Sequence, residues 1–220
     1  MNTFRKIACG LALLALLLPR AVGADQTSAT YRVSFAATWD QKTHPHTNFP
    51  AQPRFSRLIG GVHSAQVQYW KVGRRASPGI KLMAEEGVIE ALASEVTVDI
   101  KSGRALAVLS RPVGIASPGN DTIDAFEVTK DFPLVTLVTM LSPTPDWFTG
   151  VSGLSLLDGE GNWIDSEVVM LYPYDAGTQQ DRAFALHQPP EPQPRPISSL
   201  SSSEWFTDKP VGSFTFTRIK

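Results

Sequence analysis

The chain has 220 residues, of which 42% are hydrophobic and 19% charged, and its formal net charge is −1. No Lys/Arg cluster exists beyond Arg74-Arg75, which argues against a nucleic-acid-binding protein because such proteins present a basic surface. The single cysteine, Cys9, excludes an internal disulfide framework, and the length suits one domain.

The first 24 residues are typical of a secretory signal peptide. Arg5 and Lys6 precede an apolar run from Ile7 to Leu18, and small residues offer a cleavage site after Ala24. The apolar run is shorter than the roughly 20 residues that a membrane-spanning helix needs. We therefore expect a secreted or periplasmic mature chain, residues 25–220, with no cysteine and with 17 basic against 21 acidic residues, a formal charge of −4.

Alternation of apolar and polar residues predicts a first β-strand over residues 30–39. Tyr31, Val33 and Phe35 would face one side of that strand. The loop that follows carries His44 and His46, which could offer two imidazoles to a metal. No third ligand stands at a recognisable spacing, so solvent-exposed loop histidines are the favoured interpretation.

One short helical region is predicted, near residues 78–93. Ser77 can cap the helix, Pro78 suits its first turn, and Gly87 can end it, with a further turn behind. Strict alternation over residues 95–100 then predicts a strand, with Val96, Val98 and Ile100 on one face.

The remaining pattern predicts a mainly β chain, folded as an antiparallel β-sandwich. Apolar runs separated by Gly/Pro turns predict strands at 105–109, 126–129, 134–141, 151–157, 163–171 and 212–219. The Pro-rich tract 188–196 reads as a stiff connector that carries the chain to its last strand. We expect a single domain over residues 25–220.

No pattern of residues supports catalysis. The sequence has no HExxH zinc motif, no G-x-S-x-G nucleophile elbow and no Walker-type phosphate loop. Two alternatives to a binding module stay open: a secreted hydrolase that uses His44 or His63 beside a Ser or a carboxylate, and a structural envelope module without bound metal.

Two kinds of segment could bind calcium. Residues 158–162 imitate the start of an EF-hand loop, but Trp163 stands where that loop needs Gly and Val169 where it needs Glu. A hairpin turn is the better interpretation. Asp146 and Asp175 each follow a predicted strand and could share one ion at one end of a sandwich, although spacing alone favours two independent Asx-type turns.

Several blocks of sequence resemble a spondin domain, as found in F-spondin and mindin. They include the first strand at residues 30–35, the run Ser-Pro-Thr-Pro-Asp-Trp-Phe at 142–148 and the run Tyr-Pro-Tyr-Asp-Ala-Gly-Thr at 172–178. The resemblance extends from about residue 29 to 219. Because the chain lacks the cysteines and the further repeats of the animal proteins, it resembles a stand-alone form, which we expect to be bacterial.

The resemblance implies a C2-like antiparallel β-sandwich with one calcium ion, held by Asp146 and Asp175. The third aspartate of the family corresponds to Gln179, which offers an amide oxygen without charge, and Asp181 is a substitute two residues further on. The implied function is that of an exported, non-enzymatic calcium-binding module. Its implied partner is an extracellular protein or glycan of unknown identity.

Overall fold

The computed structural model of the protein describes residues 26–180 and 182–220, so the predicted signal peptide at residues 1–24 lies outside the described part. In chain order the elements are β1 (Ser28–Ala37), β2 (Arg54–Phe55), β3 (Ile59–His63), α1 (Pro78–Glu86), α2 (Glu90–Lys101), β4 (Ala105–Ser110), β5 (Ile115–Ala116), β6 (Gly119–Thr129), β7 (Leu134–Ser142), β8 (Trp147–Ser155), β9 (Ser166–Leu171), β10 (Tyr174–Asp175), β11 (Ser198–Ser199) and β12 (Gly212–Arg218).

The strands form two antiparallel sheets, which confirms the predicted mainly β fold. The first sheet has the order β6-β1-β12-β9, and the second has the order β11-β10-β8-β7-β2-β5. In the second sheet β3 also pairs with β7 and with β4. Strand β7 is buried along almost its whole length, as a strand covered on both faces must be.

The main core lies between the two sheets and is rich in aromatic residues. The predicted inward face of β1 is confirmed, because Tyr31, Val33 and Phe35 are all fully buried. Phe35 packs edge-on against Phe55 with ring centroids 5.0 Å apart, and Phe214 lies 5.3 Å from Phe35 on the neighbouring strand β12. Each such buried side chain contributes about 1.5–3 kcal/mol of transfer free energy.

Helix α1 begins and ends as its residues predict. The Ser77 hydroxyl oxygen accepts a hydrogen bond from the Ile80 amide, Pro78 opens the first turn, and Gly87 ends the helix with a left-handed φ of 67°. Glu95 strengthens this start from the neighbouring helix α2, since one of its carboxylate oxygens accepts from the Gly79 amide at 2.7 Å.

The predicted strand at residues 95–100 is wrong, because these residues form the second half of helix α2. Leu92 and Val96 are both fully buried, at the four-residue spacing of a helix, whereas Val98 is 57% exposed. The helix can approach the second sheet closely because Gly61 of β3 has no side chain; a Cβ there would lie 2.7 Å from a Val96 methyl carbon. The helical region therefore extends to Lys101.

Gly60 of β3 is a sharp test of how β3 and β7 pack. A Cβ at this position would lie 1.9 Å from the Thr136 carbonyl oxygen, whereas a Cβ on Gly159 would meet nothing within 4 Å. We expect Gly60→Ala to lower the free energy of unfolding by at least about 2 kcal/mol, because the backbone of β7 must shift. Urea unfolding followed by circular dichroism measures this. Gly159→Ala is the matched control, and equal stability of the two variants would contradict the described β3–β7 contact.

Candidate functional site

Asp146 lies in the turn that joins β7 to β8. The turn is closed by Thr144, whose hydroxyl donates to the Leu141 carbonyl and accepts from the Trp147 amide. Asp146 is the residue directly before β8 and is fully buried. Its carboxylate is therefore fixed against the interior at one end of the second sheet.

Asp175 lies at the same end of that sheet. Strand β10 pairs antiparallel with β8, so that Asp175 stands opposite Trp147. The next residue, Ala176, donates its amide hydrogen to the Asp146 carbonyl oxygen at 3.1 Å. The structure thus brings together the two turns that each carry one of the predicted aspartates.

The Asp146 carboxylate organises the loop that follows β10. Its Oδ2 atom accepts three hydrogen bonds: from the Thr178 amide at 2.6 Å, from the Thr178 hydroxyl at 3.0 Å and from the Gln179 amide at 3.0 Å. Hydrogen bonds to an ionised acceptor are among the strong ones in proteins. A buried carboxylate requires such donors, because burying an uncompensated charge is costly.

Asp175 is held by one amide and one guanidinium. Its Oδ1 atom accepts from the Gly177 amide at 2.6 Å, and its Oδ2 atom lies 3.1 Å from an Nη atom of Arg195. The Asp175 side chain is only 1% exposed, whereas that of Arg195 is 43% exposed. A surface arginine therefore neutralises a carboxylate that is almost entirely buried.

The two remaining predicted ligands differ in what can be said of them. Gln179 is buried, and its Oε1 atom accepts a hydrogen bond from the Gln188 amide at 3.0 Å. Asp181 lies outside the described residues. The side-chain oxygen of Gln179 is thus used to hold the Pro-rich connector in place.

The Pro-rich connector lies directly on the loop that carries Asp175. Backbone hydrogen bonds join Gln180 to Pro189, Glu191 to Thr178 and Arg195 to Gly177, at 2.8–2.9 Å. Gly177 is needed here: its φ is 71°, and a Cβ would lie 2.4 Å from the Arg195 carbonyl oxygen. The connector is therefore a part of the site.

These contacts leave a poor set of ligands for calcium, which takes six to eight oxygens at about 2.3–2.6 Å. Asp146 Oδ2 and Gln179 Oε1 accept hydrogen bonds from the chain, and Asp175 Oδ2 faces a guanidinium. Across residues 26–180 and 182–220, no three His, Cys, Asp or Glu side chains are grouped so that they could hold a metal ion. In this arrangement the candidate ligands do not fit a calcium ion, which stays a prediction of the sequence.

Residues 158–162 form the predicted hairpin turn. The Asp158 carboxylate accepts from the amides of Glu160 and Asn162 at 2.9 and 2.8 Å, and the flanking residues Leu157 and Trp163 form an antiparallel bridge. These amides lower the pKa of the exposed Asp158 carboxyl.

The prediction of solvent-exposed loop histidines is wrong for His44, which is 1% exposed. Its Nδ1 atom accepts from the Thr207 amide at 3.2 Å, and its ring packs edge-on against Phe206. His46 is half-buried, with its ring stacked on Trp205 at 5.1 Å. The loop after β1 is thus covered by the segment that precedes β12.

His63 is also buried, with both ring nitrogens hydrogen-bonded. Nδ1 donates to the Ser64 carbonyl at 2.9 Å, so Nε2 of the neutral ring accepts from the Thr136 hydroxyl at 2.8 Å. Burial lowers the pKa of both His44 and His63 below the ordinary value of 6.5. Among the described residues, no ion pair joins a histidine to a carboxylate within residue contacts that could form a catalytic triad.

Arg195 is the residue of this site that the sequence did not point to. The only signal was a basic residue inside a Pro-rich tract, four positions after Glu191, to which Arg195 Nε also pairs at 3.1 Å.

The comparisons with known proteins point to one family. The family model described as Spondin_N matches residues 29–215. The chain is 34% identical to human spondin-2 over 237 aligned residues, which cover 97% of this chain and 67% of spondin-2. It is 32% identical to rat spondin-1 over 201 residues, which cover 86% of this chain and 24% of spondin-1. The chain thus spans about two thirds of the one relative and about a quarter of the other.

Replacing Asp146 tests its role as a buried acceptor. We expect Asp146→Ala to lower the free energy of unfolding by roughly 2–4 kcal/mol, because three donors of Thr178 and Gln179 lose their acceptor. Asp146→Asn, which keeps one acceptor oxygen, should lose less. Chemical denaturation measures the change, with the exposed Asp124→Ala as the control. If Asp146→Ala were as stable as that control, the described hydrogen bonds would not hold the loop.

The two buried histidines make stability depend on pH. Below pH 6.5 the unfolded chain binds protons that the folded chain, with its lowered histidine pKa values, does not, so the free energy of unfolding falls as the pH falls. Between pH 7.5 and 5.5 we expect a loss of about 1 kcal/mol per histidine, measured by urea unfolding. His63→Gln should remove part of this dependence, and the exposed His187→Asn should remove none. An unfolding free energy that is equal at both pH values would exclude this effect.

Proposed function

Because this chain belongs to the Spondin_N family, we propose that it is an exported, non-enzymatic β-sandwich module that binds an extracellular or cell-surface partner. The observation that carries the proposal is the family match, which covers residues 29–215 and thus nearly all of both sheets. The signal peptide predicted at residues 1–24 agrees with export. No helix in the described ranges is both long enough and apolar enough to cross a membrane.

The surroundings of the candidate catalytic residues support a binding role over hydrolysis. His63 and its hydrogen-bond partner Thr136 are both fully buried, so no substrate reaches them. An open groove of about 470 Å³ contains Ser77, Glu95 and Tyr69 among its lining residues but no histidine. The Ser77 hydroxyl donates to Glu95 and accepts from Ile80 at the start of helix α1, so it serves as a helix cap.

The edge strand β9 offers a surface for the partner. It pairs with β12 on one side and ends the first sheet on the other. Val168, Met170 and Tyr172 alternate along it and are 57%, 52% and 36% exposed. An exposed apolar strip beside an open sheet edge is typical of a protein-binding surface. We assign the partner contact to this strip.

Binding by labelled residues 25–220 tests the proposal. The probes are a panel of purified extracellular-matrix proteins and a glycan array, and we expect saturable binding to at least one of them. The double variant Val168→Ser/Met170→Ser should weaken that binding by about tenfold or more. Val98→Ser is the matched control, because Val98 is also 57% exposed but lies on helix α2.

Two results would contradict the proposal. Binding to no member of either panel would remove the interaction role, and equal binding by both variants would remove the β9 strip as its surface. Turnover of ester, glycoside or peptide substrates by the purified protein, absent from a heat-denatured sample, would favour a hydrolase instead.

A further inference from the structure

We infer that the guanidinium group of Arg195 supplies, from within the chain, the positive charge that a calcium ion would supply at this end of the sandwich. The loops around Asp146 and Asp175 are then ordered without a metal. This inference goes beyond the proposed function, because it does not depend on which partner the module binds.

The contacts of Arg195 place a positive charge directly at the buried acidic site. Its Nη atom lies 3.1 Å from Asp175 Oδ2, and its Nε atom lies 3.1 Å from Glu191 Oε1. The planar guanidinium presents several N–H donors, so one arginine can bind two carboxylates at once. Asp175 is 99% buried and requires a cationic or hydrogen-bonding partner there.

The backbone fixes Arg195 in this position. Its amide donates to the Gly177 carbonyl at 2.8 Å, and the Glu191 amide donates to the Thr178 carbonyl at 2.9 Å. The side chain is therefore attached to the same loop that carries Asp175. Because the connector is already held by these bonds, little conformational entropy remains to be lost when the ion pair forms.

The oxygens named for calcium are directed to other partners in the same arrangement. Asp146 Oδ2 accepts three hydrogen bonds, Asp175 Oδ1 accepts from Gly177, and Gln179 Oε1 accepts from Gln188. A calcium ion that bound Asp175 Oδ2 would have to lie within about 2.6 Å of it, beside the guanidinium, and the two cations would repel each other.

Gln179 fits this account by its charge. A carboxylate at that position would add a negative charge to Asp146 and Asp175 and would favour a divalent cation. The neutral amide of Gln179 leaves less charge to balance, and a single guanidinium is enough for Asp175. A neutral residue at 179 and a cation at 195 are thus two parts of one arrangement.

Thermal unfolding of residues 25–220 with about 5 mM calcium chloride, against the same protein with EDTA, tests the inference at a concentration that fills weak extracellular calcium sites. We expect the two midpoints to agree within about 1 °C, and calorimetric titration with calcium chloride to give no saturable heat. A wild-type midpoint that rises by several degrees with calcium would overturn the inference.

Variants separate the role of Arg195 from that of any surface charge. We expect Arg195→Gln to lower the midpoint by about 5 °C in either solution, because it removes the cation beside a buried carboxylate. Arg195→Lys should recover part of the loss, and the exposed Arg75→Gln should behave as the wild type. If Arg195→Gln melts with the wild type, the inference fails.

The double variant Arg195→Gln/Gln179→Asp reverses the arrangement. It removes the internal cation and adds a carboxylate, so we expect calcium to raise its midpoint by about 3 °C or more over EDTA, while the wild type does not respond. An equal calcium response of the two proteins would contradict the inference. Partner binding is measured separately, so loss of this inference leaves the proposed interaction role standing, and the reverse.

Discussion

One buried carboxylate, that of Asp146, determines how the loop end of the second sheet is assembled. It removes three donors of Thr178 and Gln179 from water and satisfies them, so the loop after β10 can follow only one path. That path places Gly177 against the Arg195 backbone, where no side chain fits. The cost of a buried charge is thereby offset by order in a segment that has little regular structure of its own.

The fold was predictable wherever one face of a strand is buried. In β1 and β12 the alternation of Tyr31, Val33 and Phe35, or of Phe214 and Phe216, follows directly from a sheet with one face on the core. Residues 95–100 show why this rule has limits. Val96 and Val98 alternate as in a strand, yet only the four-residue spacing of Leu92 and Val96 matters, and the room for that helix comes from glycines of β3, more than 30 residues earlier.

The site was less predictable because its partners are distant in sequence. Two turns with aspartates can be recognised from Pro-Asp-Trp and Asp-Ala-Gly, and a family resemblance points to both. The partner of Asp175 is an arginine 20 residues later in a tract whose composition indicates only a stiff connector. His44 was missed for the same reason: its loop is covered by Thr207, and no local pattern records a contact across 163 residues.

The position of β12 has a consequence for how the protein is made. This strand, residues 212–218, lies between β1 and β9 in the first sheet, so the strand that is made first pairs with the one that is made last. The first sheet therefore cannot close until residue 218 has left the ribosome, and such long-range pairing is slow. A chain that stays open until its synthesis is complete is well suited to being threaded through a translocation channel before it folds.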